Sequence, residues 1–223
     1  MSTPGPPWGE DSRADELRIA SNVVELLRQL THDAPMRHDP ALRMAHGWHV
    51  AVFAGVSSPP LASYLGAPRG STDELSGYEV VLTDGQGRVL AKGVPAGQVA
   101  QALARLESSI RAAVSVLDDV IAPGAVPADA DELMAVLRLC ARVHGEWVRI
   151  HPYANGNGRT ARVWANWIAL RYGLPPFVRI KPRPDGLLYA QAAHLSMRDG
   201  DHALTAQVFV DLLRSVPGRR QAE

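Results

Sequence analysis

One stretch constrains this chain more than any other: His151-Pro152-Tyr153-Ala154-Asn155-Gly156-Asn157-Gly158-Arg159-Thr160-Ala161-Arg162. Before it, Leu133, Val136, Leu137, Cys140, Val143, Trp147 and Ile150 recur every three or four residues, the spacing of one helix face. After it, Val163, Trp164, Trp167, Ile168, Leu170 and Tyr172 recur in the same way, and Gly173, Pro175 and Pro176 supply a stop. The stretch therefore reads as a turn between two helices. Its glycines let the backbone come close to a ligand. The N-terminus of the following helix offers unpaired N–H groups and partial positive charge to an anion. Arg159 and Arg162 are three apart, so the expectation is that they share a side and clamp a polyphosphate. The plain alternative is an interhelical turn capped by asparagines.

A phosphate cradle beside a histidine suits transfer of a phosphorus group to a hydroxyl. Histidine takes the proton of the attacking hydroxyl, because its ordinary pKa is near neutral. Amides and guanidinium groups stabilise charge building on the phosphorus oxygens. A divalent cation normally bridges two phosphates in such a site.

The stretch resembles the signature of Fic proteins, His-Pro-Phe-x-(Asp/Glu)-Gly-Asn-Gly-Arg-x-x-Arg. It departs in two places: Tyr153 stands for Phe and Asn155 for the acidic residue. The resemblance implies a mainly α fold, a Fic-type helical bundle with one β-hairpin flap. It implies a protein adenylyltransferase that moves AMP from ATP to a Ser, Thr or Tyr hydroxyl of a target protein with Mg²⁺. Carried over by position, it makes His151 the general base and puts Asn155 in the metal-ligand place. Gly156, Asn157 and Gly158 form the anion hole, Arg159 contacts the phosphates, and Arg162 holds the γ-phosphate. Tyr153 replaces a core aromatic, and its hydroxyl needs a partner if buried. A neutral amide at 155 weakens a hard-cation site. Three readings follow: adenylylation with looser metal binding, a Doc-like protein phosphotransferase, or a weakly active nucleotide- or protein-binding module.

Along the chain, residues 1–13 are rich in Pro, Gly and Ser and read as a mobile tail. A helix is expected from Ala14 to Leu30. Within it, Ser21 and Glu25 match the start of the inhibitory motif that many Fic proteins carry, whose Glu pairs with the second motif arginine, here Arg162. A poorer match, Ser12 and Glu16, lies nearer the tail. Without such a helix, control falls to an antitoxin-like regulator or to none. Pro40 is expected to open the next helix, with Asp39 as its cap. His46 and His49 on that helix read better as polar points on a packed face than as a metal pair. Residues 55–77 read as loop, and Arg69-Gly70 resembles a segment common in Fic proteins. Tyr78, Glu79, Val80, Val81 and Leu82 form one expected strand, and Arg88–Lys92 its partner across Asp84-Gly85-Gln86-Gly87. In the family such a flap docks an extended segment of the target by strand addition. Helices are then expected at 98–121, from Asp129 or Asp131 into the motif, at 187–197 and at 205–213. The implied organisation is an N-terminal tail and helix at 1–39, a Fic domain at 40–215 and a C-terminal tail at 216–223.

Composition enters as exclusion. Lys+Arg 23 balance Asp+Glu 23, which argues against nucleic acid or an anionic membrane held by bulk charge. One cysteine, Cys140, permits no internal disulfide, and its place on an apolar helix face marks it as packing. No apolar run is long enough for a membrane span and the first residues lack a signal peptide's pattern. The expected location is the cytoplasm.

Overall fold

The computed structural model describes residues 5–9, 11–83 and 86–217. Within them lie seven helices and a two-stranded hairpin: α1 (Arg13–Asp33), α2 (Leu42–Val52), β1 (Val81–Thr83), β2 (Val89–Lys92), α3 (Ala96–Val120), α4 (Ala130–Ile150), α5 (Asn157–Arg171), α6 (Leu187–Asp199) and α7 (Ala203–Arg214). The fold is mainly α, as the motif implied. α4 packs against α3, α5, α6 and α7, and α2 joins α1 to α5. α5 is buried on nearly every side, the mark of a helix at the centre of a body rather than on its surface. Trp147, Trp164 and Trp167 are all buried where α4 meets α5, and Trp48 of α2 sets its ring edge against Trp164 at 4.8 Å.

Two polar side chains of this central helix, Asn166 and Arg171, are matched. Asn166 Oδ1 accepts from the amides of Phe177 and Val178, each at 3.0 Å, and its Nδ2 donates to Val178 O at 2.7 Å. Arg171 is paired with Asp118 and donates to His38 O. Such pairing is what lets polar side chains sit in a core. Asp129, one of the two expected openers, caps α4 by accepting from Glu132 N at 2.9 Å, while Glu132 accepts from Ala128 N at 2.7 Å, a reciprocal start.

Three expectations change. The cap of α2 is Ala41, not Asp39, and Pro40 lies outside the helix. The first amide, Leu42 N, donates instead to the carboxylate of Glu107 on α3, at 3.2 Å. The hairpin is shorter than expected. Val81 pairs with Lys92, Leu82 with Ala91 and Thr83 with Val89 across an irregular register, whereas Tyr78, Glu79 and Val80 are not in the strand. Arg69 donates to Tyr78 O and Glu79 accepts from Ala96 N, so these residues anchor the hairpin to the body. The turn residues Asp84 and Gly85 lie outside the described residues, as do 218–223 of the C-terminal tail. Finally, the first described residues are anchored to the body rather than a mobile tail: Gly5 N donates to Glu74 O, and Trp8 is buried with its ring tilted against Phe53 at 4.7 Å.

Candidate active site

The motif turn is built from both sides. α4 ends at His151, whose backbone is left-handed (φ 53, ψ 57), a conformation uncommon for a residue with a side chain. α5 starts after Gly156 at φ 80. A Cβ there would meet Phe53 Cε2 at 2.6 Å and His49 Nε2 at 3.0 Å, so only glycine fits. Asn157 closes the turn: its Oδ1 accepts from Tyr153 N at 2.8 Å and its Nδ2 donates to Tyr153 O at 2.7 Å. The Asn157 side chain is therefore spent inside the loop, and only its amide is left for a ligand. No side chain caps α5, and the first return bond is Thr160 N to Gly156 O at 3.0 Å. The amides of Asn157, Gly158 and Arg159 precede that bond and stand as helix-end donors.

α2 supports the turn from below. Gly66 N donates to His49 Nδ1 at 3.0 Å, so His49 Nε2 carries the proton and donates to Asn155 O at 3.1 Å. Burial lowers the pKa of His49 to about 4, helped by the Arg159 cation and opposed by the Asn155 bond. His46 Nδ1 meets the Tyr153 hydroxyl at 2.8 Å, the partner that a buried phenol needs. The two histidines are thus supports of the turn. Among the described residues no group of three or more His, Cys, Asp or Glu is placed to hold a metal. Cys140 is buried and unpaired, and burial pushes its thiol pKa up, which suits a packing residue.

On one side of the turn, His151, Gly158 and Arg162 line a cavity of about 650 Å³ together with Tyr189 of α6 and Leu82 and Leu90 of the hairpin. His151 Nδ1 lies 3.1 Å from Val148 O. A carbonyl only accepts, so Nδ1 holds the proton and Nε2 is the basic atom. Burial lowers the His151 pKa to about 4; the Val148 bond opposes this and the Arg69 cation adds to it. The ring is therefore neutral at neutral pH, ready to accept a proton. Arg162 donates through Nε to Ile180 O at 3.0 Å and through Nη1 to the Tyr189 hydroxyl at 3.3 Å. That hydroxyl in turn bonds to His144 Nε2 at 2.9 Å.

The other side is occupied. Asn155, Arg159 and Lys181 line a second cavity of about 500 Å³ with Trp8, Asp11 and Glu16. Arg159 lies over the Phe53 ring at 4.9 Å and is ion-paired with Asp11. Lys181 Nζ approaches Asp11 at 3.6 Å and Glu16 at 3.5 Å. Asn155 Nδ2 donates to Gly9 O at 3.1 Å and its Oδ1 accepts from Gly156 N at 2.6 Å. Arg159 and Arg162 thus do not form one clamp: each is held by its own partners and lines its own cavity. Glu25 does not meet Arg162 either. It is exposed on α1 and pairs with Arg28 at 3.3 Å, while Ser21 is exposed on the same helix. Asp11, Trp8 and Lys181 were missed by sequence reasoning. A tryptophan inside a Pro/Gly-rich stretch was the available signal.

The Fic/DOC family description matches residues 49–169. A protein adenylyltransferase Fic of Nematostella vectensis is 41% identical over 69 residues, which are 30% of this chain and 16% of that protein. A uridine 5'-monophosphate transferase of Xanthomonas campestris pv. campestris is 39% identical over 49 residues, 22% of this chain and 9% of that protein. The chain thus spans well under a fifth of the length of these curated relatives. Among solved structures, a Fic domain containing signaling protein of Bacteroides thetaiotaomicron superposes with a TM-score of 0.62 at 16% identity, covering 92% of this chain and 72% of that one. The BepC protein of Bartonella tribocorum, solved with bound AMPPNP, superposes with a TM-score of 0.57 at 16% identity, covering 88% and 84%. At such identity the superpositions speak for the fold.

Proposed function

We propose, from the premise that the chain belongs to the Fic/DOC family, that it is a protein adenylyltransferase. The observation that carries this reading is one cavity wall: the basic Nε2 of His151 shares it with Gly158 at the start of α5 and with Arg162. The hydroxyl oxygen of the target attacks the α-phosphorus of ATP. The new P–O bond forms as the bond to the pyrophosphate oxygen breaks, and His151 Nε2 takes the hydroxyl proton. Helix-end amides at 157–159 face the phosphate oxygens, and Arg162 meets the charge of the leaving pyrophosphate. Among the described residues Arg162 has no carboxylate partner, so its charge is available. Val81, Leu82, Val89 and Leu90 of the hairpin are all exposed, which suits addition of a target strand. We place the catalytic body at 40–215 and treat the packed residues before it as its cover. Placement in the cytoplasm belongs to this proposal too. Among the described residues no helix is long and apolar enough to cross a membrane.

Magnesium, which the family implies, does not fit the residues as they stand. Asn155 Oδ1 is taken by Gly156 N and its Nδ2 by Gly9 O. Both carboxylates of that cavity are paired with Arg159 or Lys181. Hard cations need free oxygen ligands, so no step is routed through the metal here.

The uridine 5'-monophosphate transferase among the relatives favours one second reading, transfer from another nucleotide. Parallel incubation with target lysate and α-labelled ATP, γ-labelled ATP and α-labelled UTP separates the cases. Label on protein from α-ATP is the expected result. Label from γ-ATP alone marks a phosphotransferase, label from α-UTP alone a uridylyltransferase, and either overturns adenylylation.

A further inference from the structure

Arg69 sits in the loop after α2 and is 1% exposed. A buried guanidinium is costly unless every donor is met. Here all five are met. Nε donates to His151 O at 2.8 Å. Nη2 donates to Ile150 O at 3.0 Å and to Val94 O at 2.7 Å. Nη1 donates to Tyr78 O at 3.0 Å and lies 3.5 Å from the Glu79 carboxylate. The backbone amide of Arg69 adds a bond to Pro152 O at 2.6 Å.

These partners belong to three pieces of chain. Ile150, His151 and Pro152 are the end of α4 and the start of the motif. Tyr78 and Glu79 lead into β1, and Val94 follows β2. One guanidinium therefore holds both legs of the hairpin and the left-handed residue that carries the basic nitrogen. A helix end leaves carbonyls unpaired, and Arg69 satisfies two of them at the point where His151 turns out of the helix. Space is set to match: a Cβ on Gly93 would meet Arg69 Nη2 at 2.9 Å and His151 Cβ at 3.0 Å.

We propose that Arg69 is a positioning residue: it fixes the backbone of His151 and joins it to the hairpin, so that the base and the target-docking strands keep one geometry. This rests on the adenylyltransferase reading for its kinetic consequence. A planar fork with five donors is needed, and an ammonium with three cannot reproduce it. Misplacing a reacting group by about 1 Å costs up to about 100-fold in rate.

The test uses the full chain and three variants. Arg69→Lys keeps the cation and loses the fork. The expected result is a fall in kcat of about 10-fold or more, with the KM for ATP within about 2-fold and the acid limb of the pH profile unmoved. Arg69→Gln removes the cation, so the acid limb shifts to higher pH, because a positive neighbour that lowered the His151 pKa is gone. The other ionisable groups on that cavity, Arg162 of α5, His144 of α4, His194 of α6 and Arg183, are the same in every variant. Gly93→Ala presses on the same contact from the hairpin side and is expected to lower kcat in the same direction. It carries the test if the Arg69 variants do not fold. A folded Arg69→Lys protein with wild-type kcat, or a Gly93→Ala protein with wild-type kcat, overturns the proposal. If wild type itself labels no protein, the failure is that of the activity. Amide hydrogen exchange at 151 and 153 then decides for Arg69: faster exchange in folded Arg69→Lys supports it, and unchanged exchange overturns it.

Discussion

The two sides of the motif turn differ in what they leave unsatisfied. Among the described residues on the hairpin side, His151 has a free basic nitrogen and Arg162 has no acidic partner. On the N-terminal side, Arg159 is paired with Asp11, Lys181 with Asp11 and Glu16, and Asn155 with Gly9 and Gly156. Both sides come from the same twelve residues. The difference is made by distant chain: α6 and the hairpin border the first side without neutralising it, whereas Asp11 and Glu16 bring carboxylates to the second. A motif thus specifies the donors, and the surrounding chain decides which of them meet a ligand.

The largest break in this comparison comes from the open side. His151→Ala removes the basic nitrogen that the motif itself brings to the cavity beside Gly158 and Arg162, and general-base assistance is worth roughly 100- to 10,000-fold. The expected outcome is loss of label transfer on that scale, with ATP-induced thermal stabilisation retained. Transfer at the wild-type rate by a folded His151→Ala protein would falsify the base assignment.

The closed side gives a smaller effect of opposite sign. Asp11→Asn leaves Arg159 and Lys181 without their shared carboxylate. If those cations lie on the path of the triphosphate, ATP binding tightens, by about 10-fold for about 1.4 kcal/mol of relieved competition. Calorimetric titration of both proteins with ATP reads it. Unchanged or weaker binding would mean that the N-terminal cover is packing alone. Glu25→Gly serves as the control, since Glu25 pairs with Arg28 on the surface and is expected to change neither binding nor transfer.

What could be read in the sequence was local. The helices either side of the motif were legible because their apolar residues keep one period, whereas Asp129 and Asp131 both stood as openers of α4 and the structure gives the cap to Asp129. What could not be read depended on partners far along the chain. Leu42 starts α2 because Glu107 accepts its amide, and nothing near residue 39 announces that. Tyr78 and Glu79 have the composition of a strand, yet Tyr78 O accepts from Arg69 and the Glu79 carboxylate from Ala96 N. The Pro/Gly-rich start read as a mobile tail, because composition does not reveal that Trp8 has an aromatic pocket against His49, Phe53 and Tyr64. Arg159 and Arg162 were placed together by helical spacing, and only packing separates their partners.

The last expected effect concerns acid, and it treats the two sides alike. Burial holds His49 on the closed side and His151 on the open side at a pKa of about 4, and His144 at about 3. In the unfolded chain each returns to about 6.5. Between these values the unfolded chain binds protons that the folded chain does not, so stability rises with pH across the window. It is present in full above about pH 6.5 and is lost as the pH falls toward 4, with His144 extending the loss toward 3. The slope is about 1 kcal/mol per histidine for each pH unit in mid-window. Glu146, held at about 2 against burial by His202 and Arg149, adds a loss of the same sign at lower pH, from about 4.5 downward. Urea midpoints at pH 7.5, 6.5, 5.5 and 4.5 are expected to fall at each step below 6.5. His49→Gln and His151→Gln are each expected to remove a similar share of that slope, because both rings are held neutral to about the same pKa. A slope that survives one substitution and not the other would show that only one side of the turn excludes the proton.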